Sequence, residues 1–173
     1  MAILEILQYP DPRLAHPAQR VEKIDEATRR LIDDMIETMY AAPGVGLAAT
    51  QIGEMKRLVV MDLADKDEPR EPIVMINPEI LSVSDETAVS EEGCLSIPEL
   101  YYEVERPSEV TVRYTDLDGK TVETHATERF ATCVQHELDH LDGVLYIDYL
   151  SRLKRDRVLK KFEKAERLSR IVN

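Results

Sequence analysis

Thr127 to Gly143 is the stretch that most limits what this chain can fold into. Thr127 is a capping-type residue, Phe130, Cys133, Val134, Leu138 and Leu141 follow at helical spacing, and Gly143 offers a left-handed stop. The spacing predicts an amphipathic helix whose apolar stripe other elements must cover. Within it, residues 136–140 read His-Glu-Leu-Asp-His, the HExxH pattern. Positions i and i+4 share one helix face a turn apart, so one metal ion can take both imidazoles, His136 and His140. Glu137 stands beside them, where a carboxylate can hold a water and shuttle its proton.

Two imidazoles leave a third protein ligand to be found. The HExxHxxGxxH extension fails, because Gly143 is in place but the last position is Tyr146. A thermolysin-like site takes a glutamate roughly twenty residues downstream, here Glu163 or Glu166. Cys133 lies about 10 Å along the helix from His140, too far to share an ion bound at 2.0–2.3 Å, and reads as a core thiol. Cys94 sits in the polar, glycine-containing stretch Glu91-Glu92-Gly93-Cys94-Leu95-Ser96 and stays open as a ligand. His16, in a proline-rich arm, and His125, near a strand end, read as structural or surface residues.

The surrounding elements fix the fold class. Pro10, Pro12 and Pro17 make the first twenty residues an extended arm with turns. Asp25 can cap a helix carrying Leu31, Ile32, Met35, Ile36, Met39 and Tyr40 on one stripe, ended by Pro43-Gly44. Arg57 to Leu63 reads as a buried strand, Asp65 to Pro72 as an exposed acidic loop, and Ile73 to Ile76 as the start of another strand. Val110 to Tyr114, Asp118-Gly119 and Thr121 to Ala126 make a β-hairpin. A last helix, Leu150 to Arg170, buries Leu153, Val158, Leu159, Phe162 and Ala165. The sum is a single α+β domain, residues 1–173. Small mixed or antiparallel sheets pack around a central HExxH helix, with an N-terminal amphipathic helix and a C-terminal helix.

Charge excludes some partners and suggests another. The net charge is -12 at pH 7, which argues against broad DNA or anionic-membrane binding. Residues 151–173 nevertheless hold nine Lys/Arg against three Asp/Glu, while the remaining 150 carry 13 cations against 31 acids. An acidic body with a basic tail points to a separate partner for the tail, or to a solvated helix face. The longest uncharged run, Thr38 to Gly53, is broken by proline and glycines and cannot span a membrane. No basic leader segment opens the sequence, and with two cysteines the expectation is a reducing cytoplasm.

Gly44-Val45-Gly46-Leu47-Ala48-Ala49-Thr50-Gln51 matches GxGxxA, but an amphipathic helix precedes it and Gly53 leaves no room for a following helix, so the dinucleotide reading fails. Gly44 and Gly46 would instead let backbone approach a ligand closely, with Gln51 offering an amide donor.

GVGLAATQ (44–51), EEGCLS (91–96) and QHELDH (135–140), in this order and at these separations, together resemble the three motifs of bacterial peptide deformylases. The likeness runs from Tyr9-Pro10-Asp11-Pro12-Arg13-Leu14 to Leu145-Tyr146-Ile147-Asp148-Tyr149-Leu150. It implies a metal-dependent hydrolase that removes the formyl group from N-formylmethionyl nascent peptides and releases formate. It further implies one divalent ion on Cys94, His136 and His140 with water in the fourth position, Fe²⁺ in the cell, with Zn²⁺, Ni²⁺ or Co²⁺ able to replace it. By the same resemblance Glu137 is the general acid/base, and Gln51 with the Leu95 backbone N–H forms the oxyanion site. Gly44 and Gly46 line the bound peptide, and Val45 and Val134 flank the pocket for its first side chain. The basic helix 151–173 would dock on the ribosome. Two positions depart from the family: Glu128 stands where a glycine is frequent, and Thr132 where arginine or a larger apolar residue is common. The rival readings are a thermolysin-like protease using Glu163 and a binding module without catalysis.

Overall fold

The computed structural model describes residues 2–172. Strand β2 (Leu58–Met61) shows how the fold is assembled. Its side chains alternate: Leu58 and Val60 face one hydrophobic cluster, Val59 and Met61 another, and all four are fully buried. A strand covered on both faces reads as an unbroken apolar run, as Arg57 to Leu63 does.

Helix α1 (Glu26–Ala41) covers the first face. Asp25 caps it by accepting the Thr28 N–H at 2.9 Å, and Ile32, Met35 and Met39 pack on Leu47, Leu58 and Val60. Helix α2 (Glu128–Leu141) covers the other, with Ala131, Val134, Leu138 and Leu141 against Val59, Met61, Met75 and Val112. The sheet between them has the order β1-β2-β3-β6-β7 and every pairing in it is antiparallel. Its other strands are β1 (Gly46–Ala48), β3 (Ile73–Val83), β6 (Glu109–Thr115) and β7 (Thr121–Thr127). The expected hairpin is β6–β7, turned at Asp118-Gly119, where Gly119 takes φ +80°.

A second sheet, absent from the sequence reading, is the long hairpin β4 (Thr87–Cys94) and β5 (Ile97–Pro107). A third cluster lies beneath it, built from Leu7, Leu14, Ile97, Val104, Tyr146 and Ile147. Helix α3 (Arg152–Val172) joins this cluster through buried Val158 and half-buried Phe162, which meets Tyr9 edge to face. Leu153 and Ala165, both expected to be buried, are exposed, Leu153 by 63%. The arm of residues 2–20 carries a 3₁₀ turn at Pro12–Ala15, and Leu7 N–H donates to the Gln51 carbonyl at 2.7 Å. Thr127 occupies the N-cap position of α2 without a side-chain capping bond. Glu128 follows at φ +51°, a conformation that favours glycine. No helix among the described residues is long and apolar enough to cross a membrane.

Candidate active site

Cys94 ends β4, and His136 and His140 stand one turn apart on α2. The three donor atoms all lie within 4.8 Å of one another, and Cys94 Sγ is 3.3 Å from His140 Nε2. Both histidines are buried and Cys94 is half-buried. Among the described residues this is the group of three metal-type side chains that the fold brings together. The other candidates lie elsewhere: Glu163 and Glu166 are exposed on α3, His16 is exposed after the first 3₁₀ turn, and His125 stands beside Glu109 at 3.5 Å. Cys133 is buried among apolar residues, and burial pushes its thiol pKa up, with the nearby Glu137 adding to the effect.

The histidines differ in what surrounds them. His136 Nδ1–H donates to Glu92 Oε1 at 2.9 Å, which fixes the tautomer and turns Nε2 toward Cys94. Burial opposes charge on His136, but its hydrogen bonds to Cys94 and Glu92 outweigh that and push its pKa up. His140 goes the other way: burial, then the charges of His136 and Arg106, push its pKa down and keep its imidazole neutral. Its Nδ1 is buried without a protein partner. Behind Glu92, Arg106 donates through Nε at 2.7 Å and Nη2 at 3.0 Å. Sequence reasoning missed both residues, since neither stands out until β4 and β5 are paired.

Glu137 is 5% exposed, and its Oε2 is also buried without a partner. Burial pushes its carboxyl up to about 7; the charge of His136 opposes the shift and Glu92 reinforces it. A Cβ on Gly46 would lie 2.6 Å from Glu137 Oε1, so only glycine lets the β1 backbone run this close to the carboxyl. Gln51 is held in the 3₁₀ turn Ala49–Ile52, its Oε1 accepting the Ala48 N–H at 2.9 Å. Its Nε2 donates to Ser96 Oγ at 3.1 Å and lies 3.6 Å from Cys94 Sγ. Thr50 Oγ1 donates to the His140 carbonyl at 3.2 Å and ties this turn to α2.

These groups open into a cleft of about 1390 Å³. Gly44, Val45 and Gly46 form one wall, Leu95 and Tyr101 another, and Thr132, Cys133 and Glu137 the α2 side. Val134 is not on that wall. It is fully buried against the five-stranded sheet, because one residue's step around a helix turns it about 100° from Cys133. Cys133 and Thr132 occupy the place expected of it.

The profile of the family described as polypeptide deformylase matches residues 3–156. The chain belongs to the polypeptide deformylase family. This is a family of metal-dependent hydrolases that remove the N-formyl group from nascent peptides. A peptide deformylase from Afipia carboxidovorans is 60% identical over 169 residues, 98% of this chain and 99% of that one. Among solved structures, peptide deformylase from Ehrlichia chaffeensis superposes with a TM-score of 0.92 at 40% identity, covering 97% of this chain and 99% of that one. A second Ehrlichia chaffeensis structure, in complex with actinonin, gives 0.91 at 42% identity over 96% and 99%.

Proposed function

We propose that this chain hydrolyses the formyl amide of formylmethionyl peptides, with Cys94, His136 and His140 holding one divalent ion and Glu137 moving the proton. The observation that carries the reading is the pairing of two features: a half-buried thiol clustered with two buried imidazoles, and a carboxyl beside them with an unpartnered oxygen, at the cleft. The donor set fits such an ion. One sulfur and two nitrogens suit Fe²⁺, Co²⁺, Ni²⁺ or Zn²⁺ and not the oxygen-seeking Mg²⁺ or Ca²⁺. Fe²⁺ is the ion we assign in the cell, and Zn²⁺ is the one that its higher intrinsic affinity favours on isolation. An ion held there supplies Lewis-acid chemistry, acidifying water and polarising a carbonyl oxygen.

The protein's own groups do the rest. Glu137 accepts a proton from the attacking water and returns it to the departing amine, so the water oxygen leaves in formate and the peptide gains a free amino terminus. Gln51 Nε2 and the Leu95 N–H hold the formyl oxygen as negative charge builds, a form of stabilisation that costs 10²–10³ in rate when one donor is lost. The backbone of residues 44–46 offers a peptide an edge to lie along, with Val45 at the first side chain.

Residues 1–173 act on this reading as one catalytic domain in the cytoplasm. The +6 charge of 151–173 suits docking on ribosomal RNA, near the emerging substrate. The test is anaerobic reconstitution with Fe²⁺ and measurement of formate from a formyl-Met peptide, with Glu137→Gln in parallel. We expect actinonin-sensitive formate release that falls 10²- to 10⁴-fold in Glu137→Gln at unchanged metal content. Metal uptake with no formate would overturn the assignment.

A further inference from the structure

Tyr149 closes the 3₁₀ turn Tyr146–Tyr149 that leads into α3, and it is 52% exposed. Its hydroxyl nevertheless donates to Asp139 Oδ2 at 2.8 Å, and that same oxygen accepts Arg106 Nη1 at 2.9 Å. Arg106, 5% exposed, grips Glu92, and Glu92 accepts His136 Nδ1–H. The Arg106 guanidinium carbon lies 4.7 Å from the centroid of the Tyr149 ring, so the phenol also covers the cation whose partner it binds. At the other end of the turn Tyr146 stacks on His136, with centroids 5.9 Å apart and planes 28° apart. The Tyr146 hydroxyl is anchored on the Leu100 carbonyl at 3.0 Å.

We infer that Tyr149 is a positioning residue for the metal centre, acting on His136 through Asp139, Arg106 and Glu92 and setting how long the site keeps its ion. The inference rests on Cys94, His136 and His140 being the ligands. Each link in the chain is a charged or charge-assisted hydrogen bond, and those from Arg106 through Glu92 to His136 are buried, where such bonds are strong and mutually polarising. The Asp139 side chain is 22% exposed, so it is where water enters the network once the phenol is gone. Solvated Asp139 holds Arg106 less firmly, Arg106 then shares less of the Glu92 charge, and Glu92 fixes the imidazole less sharply. Groups behind a metal ligand typically change metal affinity 10- to 100-fold.

The full chain, stripped and reloaded with Co²⁺ or Zn²⁺, tests this by two readouts other than turnover. One is ion release to an excess of chromogenic chelator, and the other is the Co²⁺ absorption spectrum. Tyr149→Leu is expected to release the ion about 10-fold faster, with an altered Co²⁺ spectrum and an apo melting temperature near that of the parent. Tyr149→Phe keeps the ring over Arg106 and loses only the hydroxyl, so it is expected to lie between the two. It decides the matter alone if the leucine variant does not fold. Release rates and spectra equal to the parent in the folded variants would overturn the inference. A parent chain that takes up no ion would overturn the ligand assignment itself, a result distinct from unchanged release.

Discussion

Helices α2 and α3 are both amphipathic and both charged, but they use charge in opposite ways. On α2, His136 and Asp139 are engaged by Glu92 and Arg106, and His140 by Cys94. On α3, Lys154, Arg155, Lys160, Lys161 and Lys164 stand exposed, and the ion pair on this helix among the described residues is the surface pair Arg170–Glu166. Buried charge is converted into fixed geometry, because an unpaired ion in a dry site is too costly to leave. Solvated charge keeps its freedom and acts at a distance as a field, screened within about 8–10 Å at cellular salt. One helix is built to hold atoms still, the other to attract.

The contrast is broken most forcefully at Arg106. Arg106→Leu leaves the Glu92 carboxylate, 3% exposed, without its main partner. We expect a loss of about 3–5 kcal/mol in urea unfolding, with much of it recovered when Glu92→Leu is added. Full stability in the single variant would mean that water already reaches this pair.

The same logic applies to a buried charge remote from α2. Burial acts to raise the Asp62 pKa, but Tyr40 Oη at 2.5 Å and the N–H groups of Ala64 and Glu71 at 2.9 and 2.8 Å outweigh it and hold the carboxyl below its usual range. A carboxyl depressed in the folded state stabilises it above the unfolded pKa of about 3.9 and loses that contribution as pH falls through the folded value. Asp62→Asn should therefore lower stability at neutral pH and flatten its decline in acid, as read by melting temperature between about pH 6 and 2.5. Parallel pH curves for parent and variant would remove Asp62 from this class.

The smallest effect on stability belongs to α3. Replacing Lys160, Lys161 and Lys164 with glutamine is expected to change unfolding free energy by no more than about 0.5 kcal/mol in total. The same change should weaken low-salt co-sedimentation with ribosomes. Unchanged sedimentation would leave the basic face as solvated surface.

What the sequence disclosed depended on whether the signal was local. Helix α1 announces itself by Asp25 and its stripe, α2 by spacing and Gly143, and β6–β7 by alternation around Asp118-Gly119, because caps, periods and turns act within a few residues. The β4–β5 hairpin stayed hidden because its inward face carries Glu92 and Arg106, charged residues that read as solvent-facing until their partners are known. For the same reason the Cys94, His136, His140 and Glu137 cluster was legible from motifs, whereas the brace behind it was not. Glu92 and Arg106 meet across a hairpin, and Glu92 reaches His136 over 44 residues of chain. Val134 was misplaced because motif position does not specify helix face. The positive φ of Glu128 is backbone that glycine enters at less cost, a physical reason to expect a glycine at that position.

Each wall of the site grows out of a different hydrophobic cluster. Cys94 packs on the one beneath β4–β5, Cys133 on the α2 wall belongs to the one under α2, and Leu95 packs on the one under α1. Cys94 and His140, 46 residues apart in sequence, become neighbours only when the cluster beneath β4–β5 and the one under α2 have docked. On the proposed ligand set, an ion bridging them would close a long loop and add its binding free energy to the cohesion of the whole molecule, not to any one part. On the ligand set proposed above, metal capture would serve as an inspection of the finished fold, since slippage between the clusters that carry Cys94 and α2 would pull the donors apart.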